Sequence, residues 1–388
     1  MEFSAHLGSV IHTPSQCQHH TLPEYLTSVA RMRFLGSMIL LRTVVAAAAI
    51  TLAVPAMAQA KTKDMYVGSP PATTKKLGEA TVANAFFPSK LTVNAGDSVS
   101  FIPAGFHNVH VPKKGEGATP FLVPSGQKVA GSLDAAGAPF WFNGQDAMGP
   151  NPALFASAGF GKKFTYSGAK EVQSGLPGEK AKPMTVKFTK AGSYTVLCDI
   201  HPGMKASVKV VKKGAKVPTA KQDAAAVKKQ ADAAVKAAKG LATQEQAPNT
   251  VALGTTAKGG LEYLGMVPAK LTVAPGTTVK FTMGKGSYET HTASFGPGDI
   301  TDASSYMGAI AKSFESPAID PRGLYPSDVT PVSLSPTTHG NGFWSSGALD
   351  SVSASPLPVD ASVKFDTPGT YAYYCLIHPF MVGSVTVQ

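Results

Sequence analysis

The chain has 388 residues, of which 43% are hydrophobic and 15% charged, with 38 Gly and 30 Pro. That length suits two domains, and the frequent chain breakers suit short strands joined by turns and loops better than a helical bundle. The formal net charge of +11 is uneven: residues 61–212 hold 18 Lys against 9 acids, 213–248 hold 7 Lys against 3, and 249–388 hold 7 Lys/Arg against 10. Dispersed Lys, and no Arg between 61 and 248, argue against a nucleic-acid site. The basic front half would instead steer an acidic partner or an anionic surface.

Residues 1–31 are polar and irregular, and His19 and His20 there are incidental. This stretch is read as an upstream extension, with the start at Met32 or Met38. Arg31, Arg33 and Arg42 precede the apolar run Val44–Val54, and Pro55-Ala56-Met57-Ala58-Gln59-Ala60 follows. A charged region, a short apolar stretch and an A-x-A site make an export signal, cleaved after Ala58 or Ala60. The expected location is periplasmic or extracellular. An uncleaved membrane anchor is the alternative, although Arg42 leaves an apolar run too short for a span. The expected organisation is an extension and signal over 1–60, a first domain over 61–212, a linker over 213–248 and a second domain over 249–388.

The chain then repeats itself. Residues Phe87–Phe101 match Val267–Phe281 at an offset of 180, sharing Pro, Lys-Leu-Thr-Val, Gly, Val and Phe. Each predicts strand, Gly turn, strand, with apolar residues alternating in the second strand. Val186–Cys198 matches Val363–Cys375 at an offset of 177, and Phe164–Ala169 matches Phe343–Ala348 more weakly. A whole domain is therefore duplicated, long middle segment included. Between the copies, strong helix formers run from Asp223 to Ala242, with Val227, Ala231, Val235 and Ala238 as a thin apolar stripe. This linker is either a semi-rigid spacer or a helix packed on one domain.

The strongest signal is Cys198-Asp199-Ile200-His201-Pro202-Gly203-Met204, echoed by Cys375-Leu376-Ile377-His378-Pro379-Phe380-Met381. Both read C-x-x-H-P-x-M in a turn between two strands. His107 and His291 stand at matching places after earlier strands and complete each set. Two imidazoles, a thiolate and a thioether favour copper and one-electron transfer, whereas zinc favours three or four strong ligands and no Met. The predicted ligands are His107, Cys198, His201 and Met204, and His291, Cys375, His378 and Met381. Of the three Cys, Cys17 precedes the signal. A disulfide between the other two is disfavoured because each has better-placed local partners.

Here the chain resembles the cupredoxins, the plastocyanin and amicyanin group in particular. The second ligand loop is similar to the short amicyanin loop, and Phe106-His107-Asn108-Val109-His110 is similar to the first-ligand region of that group. The resemblance covers about 80–112 with 184–211, and 262–296 with 361–388. It implies two all-β Greek-key sandwiches, one type 1 copper near an end of each, and electron passage through the exposed edge of His201 or His378. Pro202 and Pro379 would lie in the docking patch for redox partner proteins. Thr292 replaces Asn108 in the second copy, so a hydrogen bond between its ligand loops is expected to differ. The inserts over 113–163 and 297–342 are longer than a minimal member needs, and Trp141 and Phe142 are expected to pack within them.

An oxidase or nitrite reductase is the enzymatic competitor, and histidine counting opposes it. Residues 61–388 contain six His, four of them committed, leaving His110 and His339. No H-x-H pair or H-C-H motif for a catalytic copper cluster is present. His110 is expected to point away from His107 as a packing or surface residue, and His339 to lie in a loop. A copper-delivery protein would use the same ligands, but a closed set favours redox work. A third alternative, metal in one domain only, is disfavoured because both ligand sets are complete.

Overall fold

The computed structural model describes residues 60–352 and 355–388. The segment read as an export signal, up to Gln59, falls outside them, with Cys17, His19 and His20. By its contacts the described part of the chain is one unit. Within it two similar halves can be traced.

Each half is a pair of mixed sheets facing one another. In the first half one sheet runs Phe86–Phe87, Thr62–Val67, Ser98–Pro103, Met184–Phe188, Lys163–Tyr166. The other runs Val172–Gln173, His110–Val111, Gly192–Leu197, Lys205–Val211, Lys90–Asn94. The alternation read from the sequence is the burial pattern: Val99 and Phe101 point inward, and so do Val208 and Val210 across the core. The second half repeats the order. Leu261–Val267, Thr250–Ala257, Thr277–Met283, Asp360–Phe365 and Ser333–Leu334 adjoin in one sheet. Lys270–Val273, Val382–Val387, Gly369–Tyr374, Ser294–Phe295 and Trp344–Ser345 adjoin in the other. Each predicted ligand loop closes an antiparallel hairpin, Gly192–Leu197 with Lys205–Val211 and Gly369–Tyr374 with Val382–Val387.

The halves share backbone. Thr81–Ala83, from the first half's sequence, is the edge strand of the second half's six-stranded sheet, pairing Ala83 with Leu261 and Thr81 with Tyr263. Next to it the Asn84 N–H donates to the Gly260 carbonyl at 2.7 Å. Gly260 has a positive φ, and a Cβ there would strike that backbone, so glycine alone permits the approach.

The linker forms a helix, Ala220–Ala238, started by a Thr219–Gln222 capping box. It is packed and not a free spacer. Val227, Ala231 and Ala238 of the predicted stripe join Ala234 and Ala237 against Phe87, Leu241 and Leu261. Gln230 accepts from the Ser89 N–H and donates to the Phe86 carbonyl, and Lys63 pairs with Asp223 at 2.7 Å. The helix thus lies along the line where the halves join.

The inserts pack on each other. A hairpin, Leu122–Lys128 with Asp146–Pro150, comes from the first, and helices Tyr306–Ser313 and Pro321–Leu324 from the second. Phe140 and Phe142 meet Ile300, Met307, Ile310 and Phe343 in a separate apolar cluster that reaches Leu376 of the second ligand loop. Phe142 is buried as expected. Trp141 stays 39% exposed, and its indole N–H donates to the Pro326 carbonyl at 2.8 Å. His339 is held in a left-handed turn at φ 49°, its ring nitrogens 3.3 Å from Asp134 and 3.2 Å from Asp328.

Candidate metal centres

The two ligand loops are built alike. The Cys198 N–H donates to the Met204 carbonyl at 3.0 Å, and the Met204 N–H to the His201 carbonyl at 3.0 Å. Cys375, Met381 and His378 repeat the pair at 3.1 and 2.8 Å. These bonds fold Cys and His of each loop toward one point and bury both Met side chains. Gly203 is required where it stands: its φ is +112°, and a Cβ would lie 2.4 Å from the Tyr288 ring. Tyr288, from the second half, covers the first half's loop.

His107 and His291 then meet the loops. His107 Nδ1 lies 3.0 Å from His201 Nδ1, and Cys198 Sγ lies 3.5 Å from His201 Nδ1 and 4.0 Å from His107 Nδ1. In the second half the separations are 3.1 Å between His291 and His378, 3.7 Å from Cys375 to His291 and 3.8 Å from Cys375 to His378. Metal–nitrogen and metal–thiolate bonds of ~2.0–2.3 Å can span such gaps from one ion. Both donor sets therefore fit a metal, and the six predicted nitrogen and sulfur donors come together as two groups of three.

The electrostatics differ from donor to donor. Burial and then the neighbouring His201 push His107 down to about 3, leaving its ring neutral. Burial works against charge on Cys375, yet His291 and His378 hold its thiol well below the usual range. Burial also opposes charge on His201, but Glu289 and Cys198 pull it up to about 10.

The groups behind the ligands differ between halves. Asn108 accepts from the Asp199 N–H at 2.7 Å and donates to the Asp199 carboxylate at 3.0 Å. Asp199 also sits 3.0 Å from His110 Nδ1. His110 is thus buried structure beneath the first ligand loop, with Glu171 on its other nitrogen at 3.1 Å. Burial opposes its charge, but Asp199 and Glu171 raise its affinity for a proton. In the second half Thr292 keeps the loop-to-loop bond, its Oγ1 accepting from the Leu376 N–H at 2.8 Å. Its own N–H donates to Cys375 Sγ at 3.4 Å. His291 Nε2 lies 3.4 Å from Glu262, whose other contact is the Ser287 hydroxyl at 2.5 Å.

One expectation is overturned. His201 does not present an exposed edge: it is 7% exposed, and its Nε2 faces Glu289 at 3.3 Å. His378 is half-buried and turns toward the same carboxylate. The reason is the shared seam, which brings the second half over the end of the first where a lone sandwich would meet water. Both edges line one cavity of about 1340 Å³ between the halves, together with Ile200, Ile377, Phe106 and Phe380. Glu289 and Glu262 escaped the sequence reading. Glu289 stands two residues before a ligand, but the matching place in the first half is Gly105, so the repeat gives no sign of it.

Paired sheets closed by these ligand loops define a cupredoxin-like fold. More particularly, residues 73–211 match the copper binding proteins of the plastocyanin/azurin family. Among solved structures, a mutant plastocyanin of fern is 22% identical, over 36% of this chain and 99% of that one, with a TM-score of 0.20. Amicyanin from Paracoccus versutus (Thiobacillus versutus) is 16% identical, over 38% and 88%, with a TM-score of 0.21. No curated protein matches the chain. Among the described residues no helix is long and apolar enough to cross a membrane.

Proposed function

We propose that the protein is an exported blue-copper electron carrier with two cupredoxin-like domains, 61–212 and 249–388, each holding one type 1 copper. The ligands would be His107, Cys198, His201 and Met204 in the first, and His291, Cys375, His378 and Met381 in the second. The observation that carries this reading is the pair of nearly equal His–Cys–His triangles in equivalent loops. Bound copper would supply reversible one-electron chemistry.

The protein's own contribution is to hold the donors still. Buried donors and short hydrogen bonds between loops fix positions that suit both oxidation states, so little rearranges when an electron arrives. Burial of both thiols favours retention of the ion over delivery to another protein. His110 and His339 are engaged by carboxylates, which supports a carrier over an oxidase or reductase. Redox partners would approach at the cavity mouth, where Phe106 and Phe380 are 57% and 61% exposed, and the basic first half would attract acidic ones.

The test is metal analysis of the purified protein with a visible spectrum. Two coppers per chain and an intense thiolate-to-copper band are expected. Cys198→Ser and Cys375→Ser should each remove about half of the colour, as independent sites add. Colourless, zinc-loaded protein would sink the proposal.

A further inference from the structure

Among the described residues, the carboxylate of Glu289 lies between the two predicted ligand sets. Glu289 is 8% exposed. Its Oε1 lies 3.3 Å from His201 Nε2 in one half, and its Oε2 lies 3.8 Å from His378 Nε2 in the other. Asn84, beside the strand that crosses the seam, donates to Oε1 at 2.8 Å and fixes the carboxylate. The geometry of each imidazole decides what this means. His201 and His378 turn Nδ1 toward their thiols, so Nε2 is the outward end of each ligand. Both outward ends face one buried carboxylate, His201 at Oε1 and His378 at Oε2.

We infer that His201, Glu289 and His378 form an internal bridge that carries electrons between the two centres, making them a coupled pair and not two separate carriers. The inference rests on the copper reading above. The step is one electron: one centre passes from Cu(I) to Cu(II) as the other passes from Cu(II) to Cu(I). No bond forms or breaks and no proton moves. Tunnelling decays more slowly through bonds and close polar contacts than through open space. The Glu289 bridge replaces what would otherwise be a crossing of the cavity with two short gaps. Burial limits water, whose reorientation would oppose the transfer. The anion also acts on both centres. A negative charge favours the more positive, oxidised state, so Glu289 holds both potentials down together.

The experiment uses copper-loaded full-length protein carrying Met381→Gln, since an axial Gln in place of Met gives the second site its own spectrum and potential. A pulse of reductant, less than one electron per chain, is followed by visible and freeze-quench paramagnetic resonance spectra. A first-order redistribution between sites, independent of protein concentration, is expected. Adding Glu289→Ala should slow it at least about tenfold, the equivalent of ~1.4 kcal/mol of barrier, at unchanged copper content. Glu289→Gln, which keeps the shape and removes the charge, should raise the potentials of both sites. A redistribution that is second order in protein, or one indifferent to Glu289→Ala, overturns the bridge, and so does a Glu289→Gln shift confined to one site. Absence of blue copper altogether would instead defeat the underlying reading, and the bridge with it.

Discussion

At the scale of residues, the two centres show how one template tolerates different supports. The hydrogen bond between ligand loops survives the exchange of Asn for Thr because the loop needs only an acceptor for one N–H, and Thr292 Oγ1 provides it. What the second half lacks is a carboxylate to grip, because Leu376 stands where the first half has Asp199. Asn108 holds Asp199, and through it reaches His110 and the Thr119 N–H at 2.8 Å. Asn108→Ala should therefore leave the Asp199 N–H buried without a partner and cost about 1–3 kcal/mol. Chemical denaturation would measure that loss, and the visible band of the first site should shift while that of the second holds. Equal shifts at both would contradict the local account. The grouping of His107, Cys198 and His201, and of His291, Cys375 and His378, was legible because sulfur and imidazole at fixed spacing recur in both copies. Glu289, Glu262 and Asn84 were not, because each acts across a contact made only after folding.

At the scale of elements, strands and the linker helix follow local pattern, whereas the inserts do not. Alternating Val and Phe reported the strands, and helix formers with a thin stripe reported Ala220–Ala238. The inserts are joined by partners far apart in sequence, such as Phe140 with Phe343 at 6.4 Å, and no short-range period encodes that. His339 shows how they are latched. Hydrogen bonding to Asp328 chiefly, against the opposing effect of burial, raises its proton affinity above that of a free imidazole, with Asp134 adding to it. A group whose folded value is raised contributes its full stability below the unfolded value of about 6.5 and loses it as pH rises through the folded value. His339→Gln should thus lower the melting temperature clearly at about pH 5.5 and much less at about pH 9. A pH-independent difference between variant and parent would refute the latch.

At the scale of the molecule, the positive first half and the negative second half are not two bodies tied by a tether. Their ligand edges open on a common cavity, and a single helix and a shared sheet span the join. Duplication was plain in the sequence because repeats align residue by residue. How the copies meet was not, since the seam uses positions where they differ: Thr81–Ala83, Tyr288 and Glu289 in one register, Gly203 and Gly260 in another.

Thr81–Ala83 has a consequence for how such a chain can be divided. A gene fragment encoding 249–388 alone would leave the Leu261–Tyr263 backbone as a bare edge, ready to pair with another copy of itself. Light scattering of that fragment should report self-association, and a synthetic peptide spanning 79–85, supplied in trans, should cap the edge and suppress it. If the fragment stays monomeric without the peptide, the borrowed strand is dispensable. If the peptide rescues it, the second copy no longer stands without the strand it takes from the first.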